Sequence, residues 1–137
     1  MLYRKHKMHE DWVFRRGDLY LANMNPFKGS EQGGKRPVLV LQNNAGNFHA
    51  PTLIVAPVTT RLYKQDLPTH LVIGKEGGLY ERSMVELEQI RILDKRRCLF
   101  YIGKLSRDTM KKIDEMIKTS LGLEITEDVE APLKIRR

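Results

Sequence analysis

The segment Asn25-Pro26-Phe27-Lys28-Gly29-Ser30-Glu31-Gln32-Gly33-Gly34-Lys35-Arg36-Pro37 lies between two short apolar runs, residues 19–22 and 38–41. Both runs are rich in Val, Leu and Tyr, as strands are. The Gly, Pro, Ser and Asn content of the intervening segment marks it as a loop. It is longer than the few residues that close a hairpin, and surplus loop length is more often functional than idle. Ser30, Glu31, Gln32, Lys35 and Arg36 make it densely polar. Its glycines allow positive φ and expose N–H groups that can cradle an anion. Composition alone leaves two readings open, a solvated hairpin loop and an anion-holding one.

Outward from this loop the chain reads as short strands. Residues 17–22 form the first and residues 37–42, almost unbroken in apolar character, a central strand covered on both faces. Residues 43–47 carry turn chemistry. Residues 53–58 form a further strand running into Thr59 and Thr60, residues 61–67 a polar loop over the site, and residues 69–73 another strand. Residues 83–92 read as one strand, with Val85 and Leu87 inward and Glu86 and Glu88 outward. A charged turn at 94–97 precedes a last strand at 98–102. A helix follows, capped by Ser106, with Met110, Ile113, Ile117 and Leu121 on one face and Gly122 at its end. Short strands with one late helix predict a mainly β domain, a compact antiparallel barrel with a helix packed on it.

The 137-residue length fits one domain, with residues 1–11 as a frayed extension, 12–123 as the folded body and 124–137 as a flexible tail. The single cysteine, Cys98, excludes an internal disulfide, fits a reducing cytoplasm and sits in an apolar run as a structural thiol. No zinc-type Cys/His spacing and no membrane-spanning stretch is present, so neither metal nor cofactor is expected. The net charge of +7 points to a polyanion partner. It is unevenly spread: residues 91–118 hold nine Lys/Arg against four acids, whereas 124–130 are acidic.

The motifs Arg16-Gly17-Asp18-Leu19-Tyr20, Gly29-Ser30-Glu31-Gln32-Gly33-Gly34 and Arg36-Pro37-Val38-Leu39-Val40 resemble, in order and spacing, the MazF/PemK toxin family. Pro51-Thr52-Leu53-Ile54-Val55-Ala56-Pro57-Val58-Thr59, Leu67-Pro68-Thr69-His70 and Leu87-Glu88-Gln89-Ile90-Arg91 extend the likeness over residues 14–123. The resemblance implies an SH3-like barrel that dimerises, the toxin of a type II toxin–antitoxin pair, and metal-independent cleavage of single-stranded RNA. It implies an acidic antitoxin as partner and, with that antitoxin, operator DNA. A non-catalytic barrel toxin acting on a protein such as gyrase, or a plain RNA-binding module, are the alternatives.

Cleavage without a metal uses the neighbouring 2′-hydroxyl, and three tasks arise. The hydroxyl must lose its proton, the phosphorane must be stabilised and the leaving oxygen must gain a proton. His6 and His9 lie in the presumed extension, while His49 and His70 stand apart, so no histidine pair is at hand. The family's catalytic arginine falls on Arg36 and its catalytic threonine on Thr59. Arg36 is expected to clamp phosphate oxygens with a permanent charge, and Thr59 to donate its hydroxyl proton. Glu31 is expected to take the proton, its carboxylate raised by burial. Gly29, Ser30, Gln32, Thr60, Glu88 and Gln89 are expected to read the RNA, with Lys35 and Arg61 on phosphates.

Overall fold

The computed structural model describes residues 2–123. Among the described residues there are seven strands: β1 (Asp18–Asn23), β2 (Lys35–Val40), β3 (Thr52–Thr59), β4 (His70–Ile73), β5 (Ser83–Glu86), β6 (Arg91–Asp94) and β7 (Cys98–Lys104). Two helices accompany them, α1 (Asn44–His49) and α2 (Arg107–Ser120). All pairings are antiparallel. The strand order is β4-β5-β3-β2-β1-β7, with β6 also on β3. The mainly β architecture with a late helix is as expected, but the path runs from β4 to β7 without closing into a barrel.

Alternation along the central strands divides the apolar side chains between two cores. Leu19, Leu21, Leu39, Val58, Val85, Ile102 and Ile113 fill one. Tyr20, Ala22, Val38, Val40, Val55, Leu93 and Cys98 fill the other, under Trp12 and Phe14. Both faces of the inner half of β2 are therefore covered, which is why residues 37–40 are apolar without a break. Helix α2 closes the first core through Ile113, which is fully buried. Removing a side chain of that size from water contributes about 1.5–3 kcal/mol. Ser106 caps the helix by accepting from the Thr109 amide at 3.2 Å. Gly122, at φ +73°, reverses the chain so that the Leu123 amide reaches the Lys118 carbonyl at 2.8 Å. Met110 and Ile117 pack on the core, but Leu121 stays 58% exposed beyond it.

Three expectations are corrected. Residues 83–92 are not one strand: β5 and β6 are separated by a 3-10 turn over Leu87–Gln89. Both still pair with β3, β6 up to Val55↔Arg91 and β5 from Val58↔Val85. Opposite the gap stands Pro57, which has no amide to offer a ladder. The segment 43–47 is more than a turn, because the Asn43 side chain accepts from the Gly46 amide at 2.8 Å and starts α1. Residues 2–11, expected to fray, lie against the sheet. Tyr3 bridges to Leu79 and His6 to Tyr101, and the Arg4 amide donates to the Gly78 carbonyl at 2.8 Å. The expected tail, residues 124–137, is outside the described residues.

Two glycines are set by contact. A Cβ at Gly103 would stand 2.1 Å from the Gly77 carbonyl oxygen, and one at Gly33 would stand 1.9 Å from the Phe27 ring. The first lets the 74–78 turn press on β7; the second lets the long loop fold over its own aromatic.

Candidate RNA-cleavage site

Strand β2 carries Arg36 at its start and strand β3 carries Thr59 at its end. Both side chains line an open cavity of about 570 Å³, together with Gln32, Arg61 and Tyr63. They also share a smaller one of about 210 Å³ with Lys35, Thr60, Leu2 and Tyr3. Arg36 is half-buried, and its Nε donates to the Gly33 carbonyl at 2.8 Å. That bond holds the guanidinium to its own loop and leaves the terminal nitrogens for a ligand. Thr59 Oγ1 accepts from the Arg61 amide at 3.1 Å, so the hydroxyl proton is free to be donated elsewhere.

The other expected residues divide between neighbouring depressions. Glu31, Gln32, Glu88 and Gln89 line a groove of about 410 Å³ with Arg91. Gln32 belongs to both this groove and the larger cavity. The Gln89 side chain donates to the Ser30 carbonyl at 3.3 Å, which ties the Gly-rich loop to the 3-10 turn. Gly29, at φ +56°, sits at the bend of that loop. Glu31 does not reach Arg36 and Thr59 in their cavity. It is exposed, and its carboxylate accepts from the Lys28 amide at 2.6 Å, closing a loop turn. The burial that was to fit it as a base is absent.

The carboxylate connected to the cavity is that of Glu86, for which alternation predicts an outward position. Glu86 is fully buried. Its Oε2 accepts from Gln32 Nε2 at 2.8 Å and from the Tyr63 hydroxyl at 2.5 Å. The hydrogen bond to Glu86 and partial burial push the Tyr63 phenol up to about 12, so it remains a proton donor at working pH. Tyr63 was also unforeseen, since a lone tyrosine in a polar loop gives no signal of its partner. Behind the motif Arg16-Gly17-Asp18 the structure shows an anchor. Buried Asp18 accepts from the Tyr20 hydroxyl at 2.6 Å and the Arg15 amide at 2.9 Å, and desolvation raises its carboxyl above the usual range.

An antiparallel sheet with a late helix, and an open polar cleft lined by a strand-start arginine and a strand-end threonine, describe a small mainly β protein. The chain belongs to the family described as the PemK-like, MazF-like toxin of type II toxin–antitoxin systems, whose match covers residues 15–121. Solved structures agree. MazF from Deinococcus radiodurans is 29% identical, with a TM-score of 0.71 over 82% of this chain and 99% of that one. The MazE–MazF complex of the same organism (Form-II) is 29% identical, with a TM-score of 0.67 over 83% and 100%. A mycobacterial endoribonuclease solved with its cognate antitoxin is 27% identical, with a TM-score of 0.66 over 83% and 98%. No helix among the described residues is long and apolar enough to cross a membrane.

Proposed function

We propose that this toxin is a metal-independent endoribonuclease cutting single-stranded RNA in the cavity of Arg36 and Thr59. The observation that carries this reading is that the two side chains, 23 positions apart in sequence, line the same two depressions. In the reaction the 2′-oxygen bonds to phosphorus as its proton passes to solvent water, and the phosphorus–O5′ bond breaks to give a 2′,3′-cyclic phosphate and a protonated 5′-hydroxyl. Arg36 balances the charge gathering on the phosphoryl oxygens. Thr59 donates to the same group or to the departing O5′. Lys35 and Arg61, both exposed at the cavity rim, neutralise flanking phosphates. Gln32, Thr60, Glu88, Gln89 and the backbone of Gly29 and Ser30 read bases splayed along the adjoining groove.

The partners follow the same chemistry. An acidic antitoxin segment satisfies the cationic cleft in place of RNA, and the toxin–antitoxin pair together binds operator DNA. A second copy of the chain covers apolar surface left on the sheet: Ile54 and Ile92, cross-strand partners, are 42% and 64% exposed.

The test is incubation of purified protein with long RNA in EDTA, followed by sequencing of the ends. Cuts at a short fixed sequence ending in a cyclic phosphate are expected, with none where the cut-site ribose is 2′-O-methylated. Intact but bound RNA would reduce the protein to a binding module, and cleavage of the methylated substrate would replace the internal nucleophile with water.

A further inference from the structure

Behind the cavity wall His70, Glu86 and Glu88 each present one donor atom to a common point, the three atoms lying within 4.8 Å of one another. His70 Nδ1 faces the Lys64 carbonyl oxygen at 2.9 Å. A carbonyl only accepts, so Nδ1 carries a hydrogen and Nε2 is the ring nitrogen turned toward the two carboxylates. Nε2 is in direct contact with the Glu88 carboxylate. Glu86 adds a further acceptor. Its Oε1 is buried without a hydrogen-bond partner, although the residue is wholly removed from solvent. A buried carboxylate oxygen with no partner is costly unless a cation meets it. The His70–Glu88 contact leaves Glu86 Oε1 without a partner, whereas one divalent ion among the three donor atoms meets all of them.

We propose that His70, Glu86 and Glu88 form a zinc(II) site. One imidazole nitrogen and two carboxylate oxygens are a donor set suited to zinc, at about 2.0–2.2 Å from each, with water completing a tetrahedron. The Lys64 carbonyl on Nδ1 is the support that metal-bound imidazoles characteristically have. Glu88, its side chain 34% exposed, is the ligand free to turn inward and close the shell. The ion takes no part in RNA cleavage. It fixes Glu86, whose other oxygen holds Gln32 and Tyr63, two residues of the cavity wall. Zinc therefore stiffens the 61–67 loop against the 3-10 turn.

The experiment titrates chelator-stripped full-length protein with zinc sulfate by calorimetry and follows thermal unfolding in parallel, with magnesium chloride as a second arm. One zinc per chain and a higher melting temperature are expected, with no comparable response to magnesium. Glu86→Gln and Glu88→Gln should each weaken zinc binding at least tenfold; Glu88, at the surface, can be changed without risk to the fold. His6→Ala and His9→Ala together should leave it unchanged. Absence of stoichiometric zinc uptake, or parental affinity in both glutamine variants, would overturn the site, as would loss of binding in the His6/His9 variant. The two readings are separated by assay: cleavage is measured in EDTA and again with zinc restored, and zinc uptake is measured without RNA.

Discussion

Replacing Arg36 isolates what a fixed charge contributes to the reaction. The guanidinium is tethered by its Nε to the Gly33 carbonyl at 2.8 Å and is only half-buried, outside both apolar cores. Its removal should therefore leave the melting temperature nearly unchanged. Removing one donor aimed at developing charge costs about 2.7–4 kcal/mol, or about 10²–10³ in rate. Arg36→Ala should lose that much in single-turnover cleavage of RNA in EDTA, with enzyme in excess so that binding does not enter. Arg36→Lys keeps the charge but not the planar fork, nor the Gly33 tether in the same geometry. Its rate should fall between those of the parent and the alanine variant. Affinity for an uncleavable 2′-O-methyl RNA should change less, with the salt dependence reduced by about 0.7 for the one phosphate no longer neutralised. Cleavage by Arg36→Ala at the parental rate, with the fold intact, would refute the reasoning.

Thr59→Ser keeps the donor and should keep most activity, whereas Thr59→Val, which preserves shape without a hydroxyl, should lose about tenfold or more in the same assay. Glu31→Gln should cleave at close to the parental rate, because its carboxylate closes a loop turn and does not line the Arg36 cavity; a loss matching that of Arg36→Ala would restore it as the base. Cys98 is buried, and desolvation pushes its thiol up to about 12. At pH 8 only about 10⁻⁴ of it is thiolate, so iodoacetamide should label native protein far more slowly than denatured protein, as mass spectrometry would read. The same shift has a sign for stability. The unfolded thiol ionises near 9, so this contribution is complete below that pH and is lost as pH rises through about 12.

Where periodicity governs packing, sequence and structure agree. The two-sided burial of β2 and the cap and closing glycine of α2 follow from local composition, and so does the placing of Arg36 and Thr59 at strand ends. The break after Glu86 was hidden because it depends on Pro57, a residue of the facing strand. Glu86 itself follows an outward alternation, yet pairing with His70 across β4 and β5, with the 61–67 loop above, buries it. The reverse holds for Glu31, whose motif position suggested chemistry and whose carboxylate is spent on a backbone amide. Residues 2–11 attach through backbone hydrogen bonds, to which side-chain pattern is blind, and through Tyr3 and Met8, apolar positions too few to show a period.

That attachment has a practical consequence. Leu2 and Tyr3 form part of the rim shared with Arg36 and Thr59, and the Leu2 carbonyl is held by the Tyr80 amide at 2.8 Å. Anything joined ahead of Leu2, such as an affinity handle or a fused reporter, starts beside the cavity proposed here for the RNA strand. A bulky leader there would hinder turnover without touching a reacting group.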